Sequence, residues 1–304
     1  MERFVSQMLY LVVAIVLAMG PLIIFALWFR WRRREKRSPI CRHILRGPGE
    51  SLREKIAQLN NQIDEQIVQI ALTPAVLSGF VLGTIFVKGG NPTLSNYLTL
   101  ILVLSVFLPI PLVKSARRLR VRANYQLGLD AELAVGRELN LIMREGFYVF
   151  HDFPEEHNNI DHVVVGQSGV FAVETKGRPK PDKGRGAVDA KVMYNGEALY
   201  FPDNAKETAA IHQARKQATT LSKWLSSAVG EPVKARPALA LPGWFIERKK
   251  PDDLILLYGK SDNYARSLKG PEVLSEDMIK RIVHQLDSKC RDVEPIAYSS
   301  NKNK

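Results

Sequence analysis

Hydrophobic residues are distributed unevenly along the chain. Before residue 114 they form three long runs, at about 8–29, 70–87 and 94–113; afterwards they mix with polar residues in periods of two and of three to four. A charge-free run of about 20 residues is long enough to cross a ~30 Å hydrocarbon layer as a helix. The pattern therefore predicts three transmembrane helices. The last two are joined by Lys88-Gly-Gly-Asn-Pro92, which is turn chemistry, so they are predicted to form a hairpin. Between the first and second runs, Leu52, Ile56, Leu59, Ile63, Ile67 and Ile70 recur at intervals of three and four, the stripe of an amphipathic helix. Such a helix suits the headgroup layer, the soluble domain, or a second copy of the chain.

Beyond residue 123 the periods predict an α/β domain. Helix is expected over 129–144 and strands over 147–153, 160–165 and 170–175, the last two joined through Gln167-Ser168-Gly169. Residues 191–194 and 198–201 flank Asn195-Gly196, a strong hairpin signal. A long helix over 205–228, strands near 238–241 and 254–258, and a final helix started by Ser275 complete the series. The resulting fold class is a mixed sheet flanked by helices. The divisions are 1–37 for the first span and its basic flank, 38–69 for the amphipathic helix, 70–122 for the hairpin and its flank, 123–250 for the α/β domain, and 251–304 for a last strand, helix and polar tail.

Charge sharpens the first half of this picture. The net charge is +12. Residues 1–122 hold 17 Lys and Arg against 6 Asp and Glu, whereas residues 123–304 hold 26 against 25. The excess clusters at Arg30–Arg37 and Lys114–Arg122, directly after the first and third runs, while the link between runs two and three has a single Lys. The positive-inside rule then predicts a multi-pass plasma-membrane (inner-membrane) protein, with the N-terminus outside and the α/β domain in the cytoplasm, its basic flanks drawn to anionic lipid headgroups. This charge is no argument for DNA binding, because the α/β half is nearly neutral. Cys41 and Cys290 are the only cysteines, too few for a disulfide framework or a thiolate metal site.

The candidate chemistry lies in polar residues set among apolar ones. Asp161 interrupts Ile160-Asp-His-Val-Val-Val165, and Glu174 and Lys176 end the next strand in Val173-Glu-Thr-Lys-Gly177. Alternation puts Glu174 and Lys176 on one face, where the neighbouring strand can bring Asp161. Glu132 shares a helical stripe with Val135, Gly136 and Leu139, and Gln213 lies on the long helix. Buried carboxylates are costly unless paired or metal-bound, and Mg²⁺ or Mn²⁺ suits hard oxygen ligands. His162 points away from Asp161, and Trp224 and Trp244 read as core.

Gly128-Leu-Asp-Ala-Glu132, Ile160–Val165, Gly169-Val-Phe-Ala-Val-Glu-Thr-Lys176 and the helical Gln213 together resemble the nuclease-related domain, NERD, which resembles the PD-(D/E)xK, restriction-endonuclease-like nucleases. The resemblance covers about residues 124–245. It implies a restriction-endonuclease-like sheet and a catalytic Asp161, Glu174 and Lys176, with Glu132 and Gln213 in support; Asp161, Glu174 and Glu132 would bind Mg²⁺ or Mn²⁺. The expected function is a membrane-anchored nuclease acting on DNA. A catalytically silent binding or scaffold module at the membrane is the alternative, with homo-oligomers through the 52–70 helix a further expectation. NERD domains often carry a Trp and an Asn-Pro where this chain has Tyr194 and Asn204-Ala205.

Overall fold

In the computed structural model, residues 43–87, 93–156, 159–180 and 190–293 are described. They fall into two compact units, one of His43–Ala57 with Arg122–Val293, the other containing Gln58–Val121.

The second unit is helical. Helix α1, Glu50–Val87, unites the expected amphipathic helix and the second apolar run in one element that contains Pro74. Helix α2, Leu94–Phe107, meets α3, Pro109–Ile142, at Leu108. Proline lacks a backbone N–H and its ring clashes with the preceding turn, so Pro109 and Pro111 interrupt the helix there. Within this unit Gln66 is buried and its Oε1 accepts from Ser115 Oγ of α3 at 3.0 Å, while Arg118 donates to the Gln62 carbonyl at 3.2 Å. Of the amphipathic stripe itself, Ile63 is buried and Ile67 is exposed.

One stretch among the described residues, Leu94–Glu145, is helical, long and apolar enough to cross a membrane, and none of its most apolar window is buried. Three such helices were expected. The first lies outside the described residues, and the second is the C-terminal part of α1. The side chains of Leu98, Ile101, Leu102 and Val106 are exposed along α2.

The other unit is a mixed α/β fold. After a short 3₁₀ turn, Met143–Glu145, come β1 (Tyr148–Phe153), β2 (Ile160–Gly166), β3 (Gly169–Thr175), β4 (Lys191–Tyr194), β5 (Leu199–Tyr200), β6 (Lys206–Glu207), α4 (Ala209–Val229), β7 (Ala235–Ala240), β8 (Phe245–Arg248), β9 (Ile255–Leu257), α5 (Ser261–Leu268) and α6 (Glu276–Cys290). One mixed sheet was expected; two are present. The larger has the order β1-β2-β3-β7-β9, antiparallel through β3 and parallel beyond it. The smaller has the order β6-β5-β4-β8 and contains the Asn195-Gly196 hairpin, with Gly196 at φ 96°.

Strands β2 and β3 are apolar on both faces because both faces are covered. Val163, Val165, Val170 and Ala172 pack with Leu221 and Leu225 of α4 and Ile279, Ile282 and Leu286 of α6. The alternate residues Val164, Phe171 and Val173 pack with Val135, Leu139 and Ile142 of α3 and Tyr264 and Leu268 of α5. The start of α4, through Ile211 and Ala214, packs instead with Val192, Tyr194, Leu199 and Ile246 of the small sheet. Ser275 caps α6 as expected, its Oγ accepting from Met278 N.

The two-faced core makes a direct prediction. Leu221 is fully buried, so Leu221→Ala should cost about 2–5 kcal/mol, whereas Lys280→Ala, on the exposed face of α6, should change stability by less than about 0.5 kcal/mol. Urea unfolding of the detergent-solubilised chain, followed by tryptophan fluorescence, measures both.

Candidate active site

Continuing the β2–β3 register past His162↔Val173 sets Asp161 beside Glu174. Parity places both on the α4 side, with Lys176 two residues further along. In the same way, β1–β2 pairing sets Asp152 beside Asp161, but this pair is absent from the ladder between His151↔His162 and Phe153↔Ile160. Asp152 has φ 51°, a left-handed conformation that Asp tolerates better than most residues. Its side chain serves a different network. Asp152 Oδ2 accepts from Arg46 Nη1 at 2.5 Å, Ser51 N at 2.9 Å and Ser51 Oγ at 2.7 Å, and Oδ1 from Asn159 Nδ2 at 3.2 Å.

Each of the remaining carboxylates is oriented by donors. Thr175 N donates to Asp161 Oδ2 at 2.6 Å. Gln213 and Gln217, one turn apart on α4, both donate to Glu174 Oε2, at 2.9 and 2.7 Å. The second oxygen of each carboxyl, Asp161 Oδ1 and Glu174 Oε1, has no hydrogen bond among the described residues. Glu132 comes from α3 on the opposite face and is buried, as its stripe predicted. Gly177 permits this approach: a Cβ there would lie 2.8 Å from the Leu127 carbonyl and 3.0 Å from Ala131 Cβ, so α3 passes closely over the end of β3.

Burial and mutual repulsion dominate the electrostatics of these groups. Burial pushes Glu132 up to about 9, with the Asp161 and Asp152 charges adding to the rise and Lys55 opposing it. Burial raises Asp161 to about 7; the Thr175 N–H pulls it down, Asp152 pushes it up and Lys176 pulls it down. Glu174 is held well above the usual carboxylate range by burial and by Asp161, against the Gln217 hydrogen bond and Lys176. Three acids thus repel one another beside one lysine. Hard oxygen donors destabilised by burial and mutual repulsion are groups whose charge a divalent cation would relieve. Among the described residues no three His, Cys, Asp or Glu side chains are already gathered as a metal cluster.

All five site residues expected from the sequence therefore belong to one region. Sequence reasoning missed Gln217, Asp152, Arg46 and Ser51. Gln217 was legible as an i+4 partner of Gln213. Asp152 was masked by an apolar strand that ends in an acidic loop, and the other two precede the domain. His162 faces away from Asp161, into the core. There His151 Nε2 donates to Asn140 Oδ1 at 3.0 Å, so His151 Nδ1 accepts from His162 Nδ1 at 2.8 Å. Burial lowers His151 to about 4 and His162 well below its ordinary value, so both are neutral structural groups. Trp244 is buried, as expected; Trp224 is only partly so.

Residues 127–242 match the family model described as nuclease-related domain, NERD. The chain thus carries a NERD domain with a nuclease-like mixed α/β fold, consistent with the PD-(D/E)xK superfamily, and such a domain points to interaction with nucleic acid. No curated protein and no solved structure matches the chain. At the first NERD departure, Tyr194 is buried and its hydroxyl bonds the Gly196 carbonyl at 3.0 Å and the Asp252 carboxylate. At the second, Asn204 holds φ 61°.

The raised acids have a pH consequence. A carboxyl whose folded pKa lies above its unfolded value binds more protons when folded, so its stabilising share is complete below about 4.5 and is lost as pH rises through the folded pKa. For Glu132 that window runs up to about 9. Glu132→Gln, which mimics the protonated acid, should equal the wild type in thermal stability near pH 5 and exceed it increasingly toward pH 9. Thermal unfolding in the presence of chelator gives the comparison.

Proposed function

We propose that the protein is a membrane-anchored, Mg²⁺- or Mn²⁺-dependent nuclease that hydrolyses phosphodiester bonds in DNA. The observation that carries this reading is the pair of half-buried Asp161 and buried Glu174, set side by side on adjacent strands with Lys176 next to it, inside a NERD domain. An apolar sheet face gains nothing in stability from two mutually repelling acids, whereas metal-assisted hydrolysis requires such a set.

In this reading Asp161, Glu174 and Glu132 would hold the metal, which would supply Lewis-acid polarisation of a phosphate and activation of water. Thr175 N and the two amides of α4 hold one oxygen of each strand carboxylate, leaving the other for ligation. Lys176 adds a fixed positive charge beside the acids, placed to orient the attacking water or to stabilise charge developing on the phosphate. Gln213 keeps Glu174 aligned and can also donate to a phosphate or to water. Lys55, close enough to Glu132 to influence it, supplies a further cation for the nucleic-acid backbone.

The membrane part of the reading rests on the apolar stretch within Leu94–Glu145, the two further apolar runs, and the basic clusters that follow the first and third. These support three spans with the N-terminus outside and the NERD domain in the cytoplasm, at the inner face of the plasma membrane.

Purified full-length protein should cleave DNA only with Mn²⁺ or Mg²⁺ present. Glu174→Ala and Lys176→Ala should each lower the rate by at least about a hundredfold, as expected when a group acting on the transition state is removed. Equal activity in either variant would defeat the assignment. Absence of both cleavage and a Mn²⁺-induced rise in thermal stability would leave the domain as a binding or scaffold module.

A further inference from the structure

The loop that leaves β3 beyond Lys176 carries charges that the carboxylate site does not account for. Its backbone is fixed without them. Lys176 N donates to the Ala240 carbonyl at 2.9 Å, Gly177 lies against Leu127 and Ala131 of α3, and the Arg178 carbonyl accepts from Trp244 Nε1 at 3.2 Å. The side-chain charges of Arg178 and Lys180 therefore add nothing that the loop needs to hold its course. The near balance of 26 Lys and Arg against 25 Asp and Glu over residues 123–304 hides this local excess, in which 176, 178 and 180 are all basic.

Two of these cations rest on an aromatic pair. Phe201 and Trp244 are buried and packed edge-on, with ring centroids 5.1 Å apart. The Arg178 Cζ lies 4.1 Å from the Phe201 centroid, and the Lys180 Nζ lies 5.7 Å from that of Trp244. An aromatic face attracts a cation without consuming its N–H groups, so it fixes the charge and leaves the donors available. Both side chains are open to solvent: Arg178 is 25 % exposed and Lys180 is exposed. Arg178 Nη2 donates to Asp203 Oδ2 at 2.7 Å; its other two nitrogens, and the Nζ of Lys176 and of Lys180, make no hydrogen bond to a described residue. Asp203 is itself 46 % exposed, on a turn closed by Phe201 N donating to the Ala205 carbonyl at 3.0 Å, with Asn204 at φ 61°. An exposed carboxylate on a partly open guanidinium is a partner that another anion can replace.

We propose that Arg178 and Lys180 form, with Lys176, a track that grips the phosphate backbone of a nucleic acid beside the scissile phosphate, and that Asp203 is a placeholder on Arg178 which a bound phosphate displaces. The exchange suits both anions. The guanidinium fork matches a phosphate, which can accept two parallel N–H bonds, whereas Asp203 holds one, and the released carboxylate returns to water. The dimensions also suit a strand. Four residues of extended chain span at most about 14 Å, and one strand carries a phosphate every ~3.4 Å of axis, so the three cations serve a few consecutive phosphates. Contacts of this kind position the backbone and read no sequence. The assignment rests on the nucleic-acid reading of the neighbouring acids and names the residues that take the backbone.

Equilibrium binding without hydrolysis tests it. The full-length chain in detergent, with chelator, is titrated with fluorescent single-stranded and duplex oligonucleotides of mixed sequence over a salt series. Arg178→Gln and Lys180→Gln should each weaken binding about two- to fivefold, and each should reduce the slope of log affinity against log salt by about 1, the mark of one lost phosphate contact. Arg178→Lys should keep the slope. Asp203→Asn, which frees the guanidinium, should tighten binding about two- to fivefold, an effect that loss of packing would not give. Lys180 and Asp203 are exposed, so their variants decide the matter even if Arg178→Gln disturbs the loop. Unchanged affinity and slope in Lys180→Gln, or unchanged or weakened binding in Asp203→Asn, would overturn the proposal. So would variants that lose affinity for a water-soluble short-chain phosphatidylserine while oligonucleotide binding stays unchanged, since the strip would then serve lipid headgroups. Strip-dependent binding without Mn²⁺-dependent cleavage would defeat the nuclease reading alone; cleavage by a chain whose binding ignores these substitutions would defeat the track alone.

Discussion

Carboxylates set on an apolar sheet face, Glu174 buried and Asp161 half-buried, impose a condition that the surrounding structure has to meet. Asp161 and Glu174 occupy positions where period and packing would otherwise place Val or Ile, between Val163 and Ala172 on one side and the end of the strands on the other. Removing such groups from water costs several kcal/mol unless donors or opposite charge replace it. Much of the local architecture supplies that replacement. The β3 backbone gives an N–H to Asp161, α4 gives two amides to one oxygen of Glu174, and Lys176 gives a charge. Compensation is incomplete, and the acids remain raised in pKa. A site held in this state is poised for a cation or a proton, whereas a structural ion pair would be satisfied already.

The matched domain does not meet this condition alone. Asp152 stands next to Asp161 in the sheet, and a third negative charge there would worsen the repulsion. Its left-handed backbone takes it out of the ladder, and the segment before α1 receives it. Burial works against the Arg46 cation, but Asp292 and Asp152 more than offset this and hold its pKa above the ordinary value. Arg46 N also donates to the Cys290 carbonyl at 2.9 Å, and Ile44 bridges Val293. The residues that neutralise Asp152 therefore come from 43–51, and they are tied to the end of α6. Both segments lie outside residues 127–242, so the site's electrostatic balance is drawn from a longer stretch of chain than the family match covers.

The helical unit follows a different logic. Its apolar side chains along α2 point outward, and the few polar contacts it keeps, such as Ser115 with Gln66, join α3 to α1. Along α2 the apolar groups are exposed, whereas on α1 Ile63 is buried beside the exposed Gln62, Asp64 and Glu65. The basic residues Lys114–Arg122 follow the apolar stretch directly, and with the Arg30–Arg37 cluster they account for most of the net charge, which therefore lies outside the nuclease-like face.

The sequence by itself determined the elements and most of the site. Unbroken apolar runs marked candidate spans, because length and the absence of charge suffice for that inference. Period-two and period-3.6 patterns located β1–β4, α4 and α6, because each element's burial is written in its own spacing. Asp161, Glu174, Lys176, Glu132 and Gln213 stood out because a polar residue in an apolar strand or stripe is locally anomalous. Only the tertiary structure decided the rest, and in each case the information was non-local. The small sheet closes through β8, which pairs with β4 from 50 or more residues away in parallel register, and no local period records such a partner. The amphipathic stripe at 52–70 is equally consistent with lipid, a domain or a second copy by its spacing, and only the packing buries Ile56 and Ile63 while leaving Ile67 exposed. Asp152 looked like the end of a strand until its φ and its Arg46 partner, 106 residues earlier, gave it a role. Gln217 carried a legible spacing from Gln213, but its bond to Glu174 depended on where that residue falls, which the packing of α4 on the sheet alone decides.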